Sequence, residues 1–113
     1  MQKMQVWLNE TKIKREGVYT VEDVWKVVDK AFEEGKCIKE VQPDGSVMYL
    51  GNPSSDNLLS DFGVAYVTLI DNELFKRYAL DWKHFSNDGI EQEPMYEMNP
   101  MADLIEEWGD NRN

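Results

Sequence analysis

The spacing of apolar residues predicts one helix with well-marked ends. Between residues 21 and 34, six apolar side chains fall on one side of a helix: Val21, Val24, Trp25, Val28, Ala31 and Phe32. Thr20 precedes them as an N-cap, and Asp23 follows three residues later, which is a variant of the capping box. Gly35 supplies the left-handed position that often ends a helix. The sequence therefore predicts a helix over 21–34.

A β-hairpin is predicted directly after this helix. Strand-forming residues at 37–42 and 47–50 flank a turn at 43–46 with the sequence Pro-Asp-Gly-Ser. Proline presets φ for such a turn, and glycine accepts a positive φ. A second hairpin is predicted near the start of the chain, where residues 5–8 favour a strand and 11–15 alternate weakly between polar and apolar positions.

Residues 63–70 form the most apolar run and carry no charge. They are rich in β-branched side chains, which predicts the central strand of a sheet. Asp71 is then expected to cap a second helix over 72–85. Its apolar stripe consists of Leu74, Phe75, Tyr78, Trp82 and Phe85. The predicted core consists of Val24, Trp25, Val28, Phe32, Val67, Leu69, Leu74, Tyr78 and Trp82.

These elements predict an α+β fold. The expected architecture is a mainly antiparallel sheet with the element order β-β-α-β-β-β-α and two helices packed on one face. The 113 residues are enough for a single hydrophobic core, and no run approaches the roughly 20 apolar residues that a membrane span requires. We expect one domain over 1–86, followed by an acidic C-terminal extension over 87–113 that contains a short helix.

Acidic charge is concentrated in that extension. The chain has 22 acidic and 12 basic residues, a net charge of -10, and residues 86–113 hold eight acids against one base. A free-standing nucleic-acid binder needs a basic patch, so no nucleic-acid partner is expected. Lys12, Lys14 and Arg15 form a local basic cluster that is able to touch phosphate. The preferred interpretation is that these lysines protect a sheet edge.

The extension contains a second amphipathic pattern. Residues 90–99 are expected to behave as a linker, and Asn99 and Pro100 to start a short helix as N-cap and first residue. Six residues of this helix are the candidate partner-binding residues: Met101, Leu104, Ile105, Trp108, Glu106 and Glu107. Two interpretations stay open. The helix docks on the protein's own body, with Trp108 in a hydrophobic cleft, or it docks on a partner protein or a second copy of the chain.

Candidate catalytic residues are few. Cys37 and His84 are the only cysteine and histidine, and nothing in their spacing requires contact. Cys37 is therefore expected to be a buried, unreactive strand residue. No phosphate loop, dinucleotide fingerprint or nucleophile elbow occurs, and one histidine with distant carboxylates does not define a metal site. No enzymatic activity, cofactor or metal is expected.

The preferred function is a small acidic protein-interaction module of the inhibitor, immunity or accessory-factor type. A single cysteine and an N-terminus without the apolar core of a secretory signal favour a cytoplasmic location. The alternative is a small enzyme or ligand-binding domain whose site is assembled only in three dimensions. A third possibility is a nucleic-acid mimic, in which carboxylates imitate phosphates and block a basic protein.

Overall fold

The structure is a computed structural model that describes residues 2–51, 58–86 and 96–111. Within these ranges the elements are, in chain order, β1 (Gln2–Leu8), α1 (Glu10–Glu16), α2 (Val21–Glu33), β2 (Ile38–Val41), β3 (Val47–Leu50), α3 (Leu58–Ile70), α4 (Glu73–Tyr78), β4 (Ala79–Ser86), β5 (Tyr96–Met98) and α5 (Pro100–Trp108). None of the helices in the described ranges is long and apolar enough to cross a membrane.

The five strands form one antiparallel sheet in the order β2-β3-β1-β4-β5, which confirms the predicted α+β class. Burial alternates along the central strand β1, so that Met4 is buried and Gln5 is partly exposed. The helices pack on the face that carries Met4. There Phe32 of α2 stacks on Tyr49 of β3 with ring centroids 4.0 Å apart, and α3 lies beside α2. The core therefore lies between this sheet face and the helices.

The predicted helix over 21–34 is confirmed as α2, and so is its capping box. Thr20 Oγ1 accepts a hydrogen bond from the Asp23 backbone at 3.1 Å, and the Asp23 carboxylate accepts one from the Thr20 backbone at 3.1 Å. The expected role of Gly35 is wrong. The left-handed residue after the helix is Lys36, with φ 53°, and its N–H bonds back to Glu33. The predicted hairpin at 37–50 is confirmed as β2 and β3.

The predicted N-terminal hairpin is wrong in its second half. Residues 10–16 form helix α1, and β1 pairs instead with β3 and β4. Local contacts mark both ends of α1. The Asn9 side chain accepts from the Lys12 backbone at 3.1 Å, and Gly17 ends the helix in the left-handed region. The predicted edge protection by Lys12 and Lys14 is wrong for the same reason, because neither residue lies on a strand.

The predicted central strand at 63–70 is also wrong, because these residues form the C-terminal part of helix α3. Phe62, Ala65 and Leu69 are buried on one side of that helix, whereas Val67 is 57% exposed on the other. Val67 therefore does not belong to the core. The central position in the sheet is taken by β1. A run that is apolar on both sides of a helix does not show the periodicity that separates a helix from a buried strand.

The predicted helix over 72–85 ends early. Asn72, not Asp71, is the N-cap and accepts from the Phe75 backbone at 2.9 Å. The helix stops at Tyr78, and the chain continues as β4, which pairs with β1 and β5. Trp82 is buried on β4, so the apolar stripe that predicted one long helix belongs to two elements. Strand pairing with β1 overrides the helical spacing of the sequence.

The acidic extension contributes to both the sheet and the core. Residues 96–98, expected to belong to a linker, form β5, and the remainder of that linker lies outside the described residues. α5 begins with Asn99 and Pro100 as predicted, although the Asn99 side chain makes no capping hydrogen bond. α5 packs against β4 and α3. The part of 87–113 that the structure describes therefore shares one hydrophobic core with the preceding residues, and the boundary at 86 stays a prediction.

Candidate interaction groove

A groove runs between helix α2 and the β2–β3 hairpin. Helix α2 packs over β3, where Phe32 stacks on Tyr49, and it leaves the helix-facing side of β2 uncovered. The groove has a volume of about 550 Å³. Its apolar lining consists of Val21, Trp25, Val41 and Val47. Val41 is 67% exposed, which is unusual for a valine that belongs to a strand. The groove therefore presents apolar surface that no described residue covers.

Strand β2 forms one side of the groove and is also an edge of the sheet. All four of its residues are exposed. The register places Lys39 opposite Tyr49 and Val41 opposite Val47, so these two residues of β2 share the face on which the helices pack. Ile38, which is 50% exposed, projects to the opposite face with Glu40. An open edge strand offers unpaired backbone groups beside the groove.

The turn that joins β2 to β3 is firmly held. Gly45 has a φ of 88°, its N–H donates to the Gln42 carbonyl at 3.0 Å, and the Gln42 N–H donates to the Ser46 carbonyl at 2.8 Å. This is a three-residue loop with a glycine bulge. The Asp44 carboxylate accepts from the Ser46 hydroxyl at 2.6 Å and from the indole of Trp7 at 2.9 Å. The hydrogen bonds from Ser46, together with that from Trp7, lower the pKa of Asp44. The turn thereby fixes the position of β2.

An ion pair separates the groove from a smaller neighbouring recess. Lys39 Nζ lies 2.9 Å from Asp29 Oδ2, and the hydroxyl of Tyr49 donates to Asp29 Oδ1 at 2.6 Å. Burial and the hydrogen bond to Asp29 both raise the pKa of Tyr49, so its hydroxyl stays protonated. Beyond the pair lies a smaller recess of about 280 Å³ that Cys37 lines. Asp29 is thus already engaged by a cation and a hydroxyl donor, which leaves it poorly suited to act as a general base.

The charged residues at the rim of the groove have a net charge of -1. These residues are Glu10, Glu22, Lys26, Asp29 and Lys39. Asp29 and Lys39 neutralise each other. Glu10 and Glu22 form no ion pair with any described residue. Two carboxylates and one ammonium group are therefore available to a ligand at this rim.

Cys37 and His84 do not form a catalytic dyad. Cys37 is half-buried just before β2, whereas His84 lies on β4, and two strands separate β2 from β4. Three steps across the sheet correspond to about 14 Å at the usual strand spacing. His84 Nε2 lies 3.0 Å from Gln2 Oε1, and its ring stacks on Phe62. Burial lowers the pKa of His84. In the part of the chain that the structure describes, no three His, Cys, Asp or Glu side chains are placed to hold a metal ion.

The helix of the candidate partner-binding residues lies against this chain's own body. Met101 and Leu104 are buried in the core, and Ile105 and Trp108 are partly buried against it. The Trp108 indole donates to the Ile70 carbonyl at 2.7 Å. The helix therefore lies on the protein's own body, which is one of the two arrangements expected, and Met101 and Leu104 are buried there. Binding of a partner by this helix stays a prediction. Glu106 and Glu107 are exposed, and their proposed contact with a partner stays a prediction.

The basic cluster is split between the core and the solvent. Lys12 is buried, and its ammonium group donates to the carbonyls of Arg77 at 3.0 Å and Asn111 at 2.6 Å. Lys14 and Arg15 are exposed on α1. Since Lys12 is occupied by backbone carbonyls, the three residues do not form one phosphate-binding surface.

The groove residues were not identified as a site from the sequence. The helical spacing predicts Trp25 as a core residue, whereas it is half-buried at the groove wall. The available signal was that Ile38-Lys39-Glu40-Val41 places one apolar and one charged residue on each face, which departs from the alternation of a strand with one buried face. Comparison with known proteins found no family model, no curated protein and no solved structure that matches the chain.

Proposed function

We propose that this protein is a protein-interaction module that binds a partner protein in the groove between α2 and β2. The observation that carries the proposal is the apolar groove beside an open edge strand, where Val41 is exposed next to Trp25. Exposed apolar surface rimmed by charged residues is typical of protein-binding sites. The sequence also predicts a protein partner, but it places the candidate binding residues on α5. The groove lies beside β2, at the opposite edge of the sheet from β5.

A pair of matched valine variants tests this proposal. Val41 lies in the groove and Val67 on the outer side of α3, and both are more than half exposed. We expect Val41→Asp to abolish capture of a specific partner from extracts of the native cells, and Val67→Asp to leave capture unchanged. Circular dichroism and thermal melting of both variants control for folding. Loss of the same partner with Val67→Asp, and retention with Val41→Asp, would move the binding surface to α3 and refute the proposal.

The second candidate is a small-ligand-binding domain. The groove volume of about 550 Å³ falls within the range of small-molecule sites. The groove is open along β2, and most of its rim is charged, which favours a long partner over an enclosed small ligand. A thermal-shift screen of small metabolites separates the candidates. A compound that stabilises the wild-type protein but not Val41→Asp would support this second function.

A further inference from the structure

We propose that the partner contributes an extended, cationic segment that adds to the sheet as a sixth strand beside β2. This inference rests on the function proposed above, and it names the backbone conformation and the charge of the bound segment. The observations behind it are the hydrogen-bonding pattern of β2, the direction of its side chains and the charge of the groove rim.

The hydrogen-bonding pattern leaves two residues of β2 with backbone groups that point away from β3. The Gln42 N–H donates to the Ser46 carbonyl, which makes these residues a hydrogen-bonded pair at the end of the hairpin. Hydrogen-bonded and non-hydrogen-bonded pairs alternate along an antiparallel ladder. From the register, Glu40 bonds to β3, and the N–H and C=O groups of Lys39 and Val41 point away from it. An extended backbone matches the spacing of these outward groups, whereas a helix does not.

The side chains of an added strand reach the groove. Residues of that strand opposite Lys39 and Val41 project to the face on which α2 lies, because directly opposed residues share a face. They therefore meet the apolar surface of Trp25 and Val41 at the open side of the groove. The intervening residues project to the other face, beside Ile38 and Glu40. The expected segment has apolar residues at alternate positions and charged residues between them.

The charge of the segment follows from the acids around β2. Glu10 and Glu22 form no ion pair within the described ranges and lie at the groove rim, and Glu40 lies on the opposite face of the edge strand. The whole chain carries a net charge of -10. Lysine or arginine side chains between the apolar positions project to the face of Glu40 and gain contact with its carboxylate. The negative field of the whole protein, to which Glu10 and Glu22 contribute, speeds their approach.

A second copy of this chain fits the edge poorly. When two copies pair their β2 strands in antiparallel fashion, the helices of both copies lie on the same side of the joined sheet. Residues that project to the same side of the sheet then oppose each other. The registers centred on the middle of the strand then place Glu40 opposite Glu40 or Lys39 opposite Lys39. Like charges directly opposite are destabilising in a sheet, and each copy also carries a net charge of -10. The favoured occupant is therefore a different, basic chain.

The test uses the full chain and a capped synthetic peptide in which valine and lysine alternate. Two control peptides accompany it, one in which glutamate replaces lysine and one with the valines and lysines in separate blocks. Binding is followed by amide chemical shifts and by hydrogen exchange of Lys39 and Val41. We expect saturable, salt-sensitive binding of the alternating Val-Lys peptide only, with slower exchange at both amides.

Two substitutions at one position isolate the backbone contribution. Val41→Pro removes an outward N–H that β3 does not use, while Val41→Thr keeps the N–H and the β-branched shape. We expect Val41→Pro to weaken peptide binding by about tenfold or more and Val41→Thr to have a small effect. Retained exchange protection at Glu40 in both free variants confirms that the β2–β3 ladder is intact.

Different failures have different meanings. Shifts at Trp25 and Val47 without protection of Lys39 and Val41 would refute strand addition but leave the groove as a binding site. Absence of shifts at all groove residues with the Val-Lys peptide would refute this proposal, while the capture experiment above decides the proposed function separately. Equal binding of the glutamate peptide would refute the charge preference. In the absence of peptide, protection of the Lys39 and Val41 amides could rise with protein concentration, and sedimentation could show dimers. These two results together would assign the edge to a second copy.

Discussion

The ammonium group of Lys12 donates a hydrogen bond to the carbonyl of Asn111 at 2.6 Å, across 99 positions of sequence. The same ammonium group donates to the Arg77 carbonyl at the end of α4. One buried side chain thereby connects α1, α4 and the residues that follow α5. A lysine is rarely buried unless its ammonium group is satisfied, and here backbone carbonyls satisfy it. Lys12 is therefore a structural residue and not part of a basic surface.

Replacing Lys12 by methionine should lower the free energy of unfolding by about 1–3 kcal/mol, because the Arg77 and Asn111 carbonyls lose a buried donor. Methionine retains most of the apolar stem. Lys14→Met, on the exposed side of α1, is the matched control and should change stability little. Urea denaturation measures both. Equal urea midpoints for the two variants would show that the contact with Asn111 contributes nothing to stability.

Leu104→Ala should destabilise the protein by about 2–5 kcal/mol, because Leu104 is buried where α5 meets the core. Glu107→Ala, on the exposed side of the same helix, should have a minor effect. Removal of residues 100–113 should lower the melting temperature further and expose an apolar patch. Thermal melting with a dye that binds apolar surface measures both effects. An unchanged melting temperature after this deletion would be incompatible with the observed packing of α5.

The stability of the fold should decrease as the pH falls below about 6.5, because burial holds the pKa of His84 below its usual value. The unfolded chain then binds a proton that the folded chain does not. The contribution is fully present above the unfolded pKa and is lost as the pH falls toward the folded one. His84→Gln keeps a polar partner for Gln2 and removes this titration.

The measurement is the free energy of unfolding between about pH 7 and pH 5 for the wild type and His84→Gln. The wild type should lose more stability over this interval than the variant. Parallel curves would show that His84 is protonated equally in the folded and unfolded states.

The protein should not bind duplex DNA measurably at physiological salt. Its net charge of -10 repels phosphates, and Lys12 is withdrawn from the basic cluster by its carbonyl partners. Fluorescence anisotropy with a labelled duplex over a range of salt concentrations provides the measurement. Micromolar binding that weakens steeply with salt would contradict this expectation and direct attention to Lys14 and Arg15.

Helix α2 and the β2–β3 hairpin were predictable because their signals are local. The Thr20–Asp23 capping box acts within one helical turn, and the Pro43–Gly45 loop sets its own backbone angles. Helix α1 carried comparable signals in Asn9 and Gly17. The weak alternation over 11–15 predicts a strand, and this prediction is wrong because Asn9 and Gly17 cap a helix there.

Helix α3 could not be predicted from the local spacing of apolar residues. Its buried residues Phe62, Ala65 and Leu69 are spaced as in a helix, but Val64 and Val67 are apolar and exposed. These two valines make the stretch look apolar on every side, which is typical of a buried strand as well. The choice between helix and strand was made by α2, which packs beside α3, and by β1, which occupies the centre of the sheet.

The sequence by itself determined the α+β class, the start of α2, the turn at 43–45 and the amphipathic character of α5. Each depends on caps, turns or spacing within a few residues. Only the tertiary structure decided that the stripe from Leu74 to Phe85 divides into α4 and β4, and that β2 is an open edge beside Trp25. The reason is that strand pairing and helix packing join residues far apart in the chain. Their free energies exceed the local preferences of the segments they join.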